Sequence, residues 1–221
     1  MSGPQSQREK LREQRKQAAH KKTTTLLIVL GAVALVIFVL VMLPRWTLDN
    51  SPLTLQEGFS IGDPNAPVKV EEFSDFRCSH CQNFALNYEP DFIKKYVDTG
   101  LVYFTFHNYA FLSSDSRDAA EATYCAAEQN AMWQYKKLLF TYSTFSGAFT
   151  ESNLIDYAKQ LDLDTEKFSA CLQSDANLAK LDEIKRYANS LGIDSTPQFS
   201  VNGTIVYMNA LDETVDAALL R

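Results

Sequence analysis

Cys78 and Cys81 bracket Ser79 and His80, which places two thiols close enough along the chain to make and break a disulfide with each other. That chemistry needs one sulfur that is acidic and reachable and a second that is held back. The alternation Val68-Lys69-Val70-Glu71-Glu72-Phe73 predicts a strand. Phe84, Ala85, Tyr88, Phe92 and Tyr96, at helical spacing, predict a helix over 79–97 that ends near Gly100. The tetrad therefore lies where a strand ends and a helix begins. Unpaired N–H groups and the helix dipole favour negative charge there, so Cys78 is expected as a thiolate of lowered pKa. Cys81, one turn inward, is the resolving partner, and His80 can add a donor or a positive charge. A stabilised thiolate makes the disulfide the better oxidant and Cys78 a good leaving group.

Two further positions could serve the same chemistry. Glu72 shares strand parity with Val68 and Val70, so it is expected to point inward beneath the pair, where a buried carboxyl could carry the proton of Cys81. The competing reading leaves Glu71 or Glu72 facing solvent at a strand edge. Thr196-Pro197 places a proline at the entry of a strand after a glycine-ended helix. A cis bond there would present the preceding backbone to a bound peptide, whereas a trans proline at a strand start is the ordinary alternative. His107, at the end of the second strand, reads as packed or hydrogen-bonded rather than as a ligand.

Cys125 and Cys171 stand 46 residues apart on separate predicted helices. Bridged, they close a loop worth about 4 kcal/mol in the loop-entropy model; a second redox relay and a zinc site are the alternatives. Zinc would want a second close pair, which the spacing lacks, and no metal is expected. Trp133, Tyr135 and Phe140 have core spacing and require no cofactor.

The elements that must hold these groups run β-α-β, then a helical insertion at about 113–191, then β-β-α. The second strand is Leu101 to Phe106. Within the insertion, 118–140 is one long helix or two short ones, Thr150 and Asp164 each cap a helix, and Gly192 stops the last. Gln198 to Val201 and Thr204 to Met208 pair through an Asn202-Gly203 turn, and a helix from Leu211 to Leu220 closes an α/β domain over 60–221.

Ahead of it, Leu26 to Leu43 is an unbroken apolar run of 18 residues, which with its flanks can cross a hydrocarbon layer of about 30 Å. Seven Lys or Arg precede it within a basic arm at 1–23, while only Arg45 follows closely. A single transmembrane anchor at 24–44 is therefore expected, with its N-terminus in the cytoplasm. A cleaved signal peptide is the rival, but Met42 to Trp46 offers no small-x-small site. Residues 45–59 read as a linker. Beyond residue 43 the chain carries 14 basic and 25 acidic residues, a net charge of −11, which argues against nucleic acid as a partner. All four cysteines fall on the exported side, where disulfides persist.

Over about 58–221 the chain resembles the DsbA-like branch of the thioredoxin superfamily, including its single-pass bacterial forms. The resemblance rests on Gly62-Asp63-Pro64-Asn65-Ala66-Pro67-Val68, on Glu72 through Cys81, on Tyr124-Cys125-Ala126 with Trp133, and on Gly192 through Phe199 before Val201-Asn202-Gly203. It implies a thioredoxin-like fold with an inserted helical subdomain, a cis peptide at Pro197 beside the Cys78–Cys81 pair, and Glu72 as a buried acid. It also implies a bacterial cell membrane and reoxidation by a quinone-linked membrane protein. Many oxidases of this branch have proline after the first cysteine, where this chain has Ser79; His80 matches the oxidising members.

The expected activity is an extracytoplasmic oxidase that introduces disulfides into unfolded or reduced exported proteins, acting as a monomer. A membrane-fed reductase or isomerase is the alternative within the same chemistry. A non-catalytic, chaperone-like binding module is the alternative outside it.

Overall fold

The computed structural model describes residues 56–220. The basic arm, the anchor expected at 24–44 and most of the expected linker lie outside them. Among the described residues no helix is long and apolar enough to cross a membrane.

A six-stranded mixed sheet carries the site, in the order β1-β2-β4-β3-β5-β6. Its strands are β1 (Gln56–Glu57), β2 (Ser60–Ile61), β3 (Val68–Ser74), β4 (Val102–Asn108), β5 (Gln198–Val201) and β6 (Thr204–Tyr207). Only β3 and β4 pair in parallel, Val70 opposite Phe104 and Glu72 opposite Phe106. The short β1 begins inside the stretch read as linker. Gly62 marks where this entry turn grazes β4: its φ is +98°, and a Cβ there would sit 2.6 Å from the Val102 carbonyl oxygen, so a side chain is excluded.

Helix α1 crosses from β3 to β4 over 79–97, as the apolar spacing predicts, but not as a regular α-helix. It alternates α turns at Ser79–Asn83 and Glu89–Phe92 with π turns at Phe84–Tyr88 and Ile93–Val97. Pro90 has no N–H to give the carbonyl four residues back, so the ladder loosens, and the Glu89 N–H bonds the Phe84 carbonyl instead.

The insertion follows as α2 (Ser114–Ala127), α3 (Met132–Tyr142), α4 (Glu151–Gln160), α5 (Thr165–Leu172) and α6 (Leu178–Ser190). The stretch 118–140 is thus two helices, broken where Asn130 takes φ +59°. Asp164 caps α5 by accepting from the N–H groups of Glu166 and Lys167. Asn202 and Gly203, both at positive φ, make the hairpin turn, and Met208 opens a 3₁₀ turn rather than ending β6. Helix α7 (Leu211–Leu219) closes the domain.

Strand alternation sorts two cores. Val68, Val70, Phe104 and Phe106 face one side of the sheet with Phe84, Phe92, Trp133, Phe140 and Leu211, and a buried aromatic of this kind contributes roughly 1.5–3 kcal/mol. Phe73 faces the other side and packs with Tyr109, Ala188 and Ile193. The redox tetrad stands at the C-terminal end of β3, on the boundary between sheet and insertion.

Candidate active site

Cys78 is the N-cap of α1, in extended conformation, with its Sγ accepting from the Cys81 backbone N–H at 3.4 Å. Its thiol is pulled down to about 5. The largest cause is the hydrogen bond from the Cys81 thiol; burial opposes it, and the Thr196 side chain and the backbone N–H groups of Cys81 and His80 add to it. Cys81 is driven the other way, above the ordinary thiol range, first by burial and then by the neighbouring Cys78 sulfur. Cys81 has no exposed surface, whereas Cys78, largely buried, keeps 9% of its surface in solvent beside exposed Ser79 and His80. Both are free thiols. The His80 contribution comes from its main chain: the ring is exposed and has no hydrogen-bond partner among the described residues.

The Thr196–Pro197 bond is cis, and the Thr196 carbonyl oxygen lies 3.2 Å from Cys78 Sγ. Strand β5, antiparallel to β3, brings this turn across 118 residues of sequence to the tetrad. The register makes it possible, because Gln198 pairs with Phe73.

The turn before the tetrad is held by a residue that strand patterning does not single out. Asp75 is fully buried. Its Oδ1 accepts from the Arg77 N–H at 2.7 Å and Ser116 Oγ at 2.6 Å, its Oδ2 from the N–H groups of Phe111 and Leu112, and its carbonyl from the Cys78 N–H. Four donors substitute for a counter-ion. Arg77 adds a second tie: its Nε bonds Asp115 at 3.0 Å while the guanidinium lies 4.3 Å from the Phe149 ring centroid. Asp115 is held below the usual carboxylate range by Arg77. These contacts fix α1's first turn against the insertion.

Glu72 has no exposed surface, as its strand parity requires. Its Oε2 accepts from Lys136 Nζ at 3.0 Å, and Lys136 also bonds Glu89, making a buried carboxylate–ammonium–carboxylate triad. The ammonium lies 4.2 Å from the Phe106 ring centroid. Burial draws the Lys136 pKa down, but the two carboxylates outweigh it and leave it raised. Burial lifts Glu89 to about 7 against the attraction of Lys136, with Glu72 adding to the rise. Sequence patterning passes over Lys136 and Glu89. Their signal was position, since each charge interrupts an apolar stripe: Lys136 between Trp133 and Leu139, Glu89 between Ala85 and Phe92.

Elsewhere, Cys125 and Cys171 form a disulfide between α2 and α5. Glu71 accepts from His107 Nε2 at 2.9 Å and from the Tyr187 hydroxyl, on the opposite face of the sheet from Glu72. Among the described residues no group of three or more metal-ligating side chains is assembled.

A family model described as Thioredoxin matches residues 54–220. The probable disulfide bond formation protein D of Bacillus anthracis is 28% identical over 171 residues, covering 73% of this chain and 78% of that protein. Among solved structures, oxidised BdbD from Bacillus subtilis superposes with a TM-score of 0.69 at 25% identity, covering 74% of this chain and 94% of that one. DsbA from Chlamydia trachomatis superposes with a TM-score of 0.65 at 22% identity, covering 75% and 93%.

Proposed function

This chain belongs to the thioredoxin family as a DsbA-like thiol–disulfide oxidoreductase, and we propose that its working direction is oxidation of substrate dithiols outside the membrane. One observation carries the direction: Cys78 caps the start of α1 with its sulfur accepting the Cys81 N–H, while Cys81 is sealed from solvent, an arrangement that drives Cys78 toward the anion and Cys81 toward the thiol. Stabilising Cys78 as a thiolate favours the reduced enzyme, so the disulfide has more to gain by accepting electrons.

In the forward reaction a substrate thiolate attacks Cys78 Sγ. A new S–S bond forms to substrate, the Cys78–Cys81 bond breaks, and its electron pair goes to Cys81, which takes up a proton that comes from solvent and for which the buried Glu72 carboxylate is the carrier in this reading. A second substrate thiolate then attacks the substrate's own sulfur and expels Cys78 as a stable anion. Two electrons have passed to the enzyme and one disulfide to the substrate. The Thr196 carbonyl and Pro197 form the edge on which the substrate backbone lies, and His80 contributes its main-chain N–H to the Cys78 anion.

DsbA-like proteins act on substrate proteins and are reoxidised by a membrane partner. For this chain the reading is reduced exported proteins as clients and a quinone-linked thiol oxidase as the partner. Residues 24–44 serve as the anchor, and the domain over 60–221 lies on the extracytoplasmic face of a bacterial cell membrane. The apolar run at 26–43 and its basic flank support that arrangement.

Equilibrating the full-length chain with a glutathione series while following thiolate absorbance tests the direction. A potential above about −180 mV with a Cys78 midpoint near pH 5 is expected; a potential near the about −270 mV of thioredoxin would make the enzyme a reductase.

A further inference from the structure

Thr196 is held within reach of Cys78 by a turn that lies outside the strand ladder. Its carbonyl oxygen is 3.2 Å from Cys78 Sγ, yet strand pairing begins only at Gln198, opposite Phe73. On the other side the chain is anchored at Ile193, whose N–H bonds the Ala188 carbonyl at 3.0 Å and whose carbonyl accepts from the Tyr109 hydroxyl at 3.4 Å. Between these points residues 194–196 make no backbone–backbone hydrogen bond among the described residues. One side chain spans the gap: Gln198 Oε1 accepts from the N–H of Asp194 at 2.9 Å and from that of Ser195 at 3.1 Å. Two donors converge there, so the oxygen of the amide, with its two lone pairs, is the end that must point into the turn. Gln198 is 4% exposed and by register stands on the sheet face that carries Phe73 with Tyr109, Ala188 and Ile193. An apolar side chain would fill that face with no polar group to desolvate. A buried amide persists there only with partners, and both of its partners belong to the turn that carries Thr196.

We propose that Gln198 is a positioning residue of the active site: by gathering the Asp194 and Ser195 N–H groups on one oxygen, it fixes the Thr196 edge against Cys78 and in line for a substrate backbone. The inference rests on the reading of that edge as the place where the substrate lies, and it adds the group that sets its position. Reach accounts for the residue type. The oxygen must come back three and four residues from the first position of β5, and among neutral side chains glutamine carries an accepting oxygen farthest from its own backbone. Thr196 also favours the Cys78 thiolate through its side chain, so a turn that drifts weakens the acidity of Cys78 and the substrate edge together. Hydrogen bonds weaken steeply with distance and angle, which makes a displacement of about 1 Å at Thr196 costly, although Gln198 acts on the sulfur only through Thr196.

The test compares single-turnover reduction of the oxidised full-length chain by a two-cysteine peptide and by dithiothreitol, which has no backbone to lay on the edge. It is run on the unmodified chain, on Gln198→Met and on Gln198→Glu. Methionine has a similar length and only a weakly accepting sulfur. Gln198→Met is expected to slow the peptide reaction about tenfold, through a higher half-saturating peptide concentration, and the dithiothreitol reaction about twofold. The Cys78 thiolate midpoint should rise from about 5, and the Asp194 and Ser195 amide protons should lose their protection from solvent exchange, a combination that a general packing defect would not produce. Gln198→Glu returns an accepting oxygen at the same reach and should restore the peptide-to-dithiothreitol ratio to within about twofold of the unmodified chain. An unchanged ratio and midpoint in Gln198→Met, or a ratio in Gln198→Glu as low as that in Gln198→Met, overturns the positioning role and leaves the edge reading intact. No advantage of peptide over dithiothreitol in the unmodified chain overturns both. Should Gln198→Met not fold, the unmodified chain decides: Asp194 and Ser195 amide protons that exchange at the open-chain rate refute the clamp.

Discussion

The two cysteine pairs are built from the same side chain and behave as opposites. Cys125 and Cys171 are joined, 46 residues apart, between helices α2 and α5. Cys78 and Cys81 are three residues apart on one helical turn and free. A link across a long loop restrains the unfolded chain, whereas a link within one turn restrains very little. The second pair is therefore free to open and close, and its behaviour is decided by what surrounds each sulfur. At Cys78 those surroundings are first the Cys81 thiol, then the Thr196 side chain and two backbone N–H groups; at Cys81 they are the buried interior and the negative sulfur next to it. Sulfur chemistry in this protein is thus assigned by backbone geometry and burial rather than by residue type.

Three perturbations break or sharpen that contrast. Cys78→Ser should abolish dithiol oxidation, reducing product formation in a fluorescent-peptide assay to the uncatalysed background, while Cys171→Ser retains it. Loss of activity in both would mean that the distant pair is a relay and not a brace. The double substitution Cys125→Ala with Cys171→Ala should lower unfolding stability by about 4 kcal/mol in urea and leave the Cys78 midpoint near 5.

The smallest effect is a pH dependence of the reduced protein relative to the oxidised one. Cys78 has a folded-state pKa of about 5 against 9.0 in the unfolded chain, so between those values the unfolded state binds a proton that the folded state does not. Reduced-state stability therefore rises with pH across this window and is lost as pH falls through 5. Between pH 5 and 7 the gain should be about 1–2 kcal/mol, below the full 1.4 kcal/mol or so per pH unit because the sulfur is partly in solvent. Calorimetry of both redox states from pH 5 to 8 measures it. The range stops at 8 because Cys81, held protonated, reverses the sign above 9.0.

Much of the site was legible along the chain because its chemistry is local. The N-cap position of Cys78 follows from a strand pattern ending and a helix pattern starting around it, and the inward face of Glu72 follows from strand parity. The hairpin at Asn202-Gly203 is legible for the same reason, since two adjacent residues specify it. Lys136 and Glu89 were not, although each sits as a charge in an apolar stripe. A single misplaced charge in a helix pattern usually reaches water along its own stem, and only the presence of Glu72, 64 residues from Lys136, turns this one into a buried pair. Asp75 escaped for a similar reason, because its donors at Phe111, Leu112 and Ser116 come from a loop and a helix beyond β4.

The order of elements, the pairing of strand end with redox tetrad and the acidity expected of the first cysteine were determined by the residue string alone, because each depends on neighbours within a turn or two. Tertiary structure decided which sulfurs are bridged, that the Thr196 carbonyl reaches Cys78, and that Glu72 has a lysine and a second carboxylate for company. Those outcomes depend on long-range packing: hydrogen bonds and ion pairs between distant residues form only once the sheet register and the docked insertion have excluded water around them, and no local pattern encodes that exclusion.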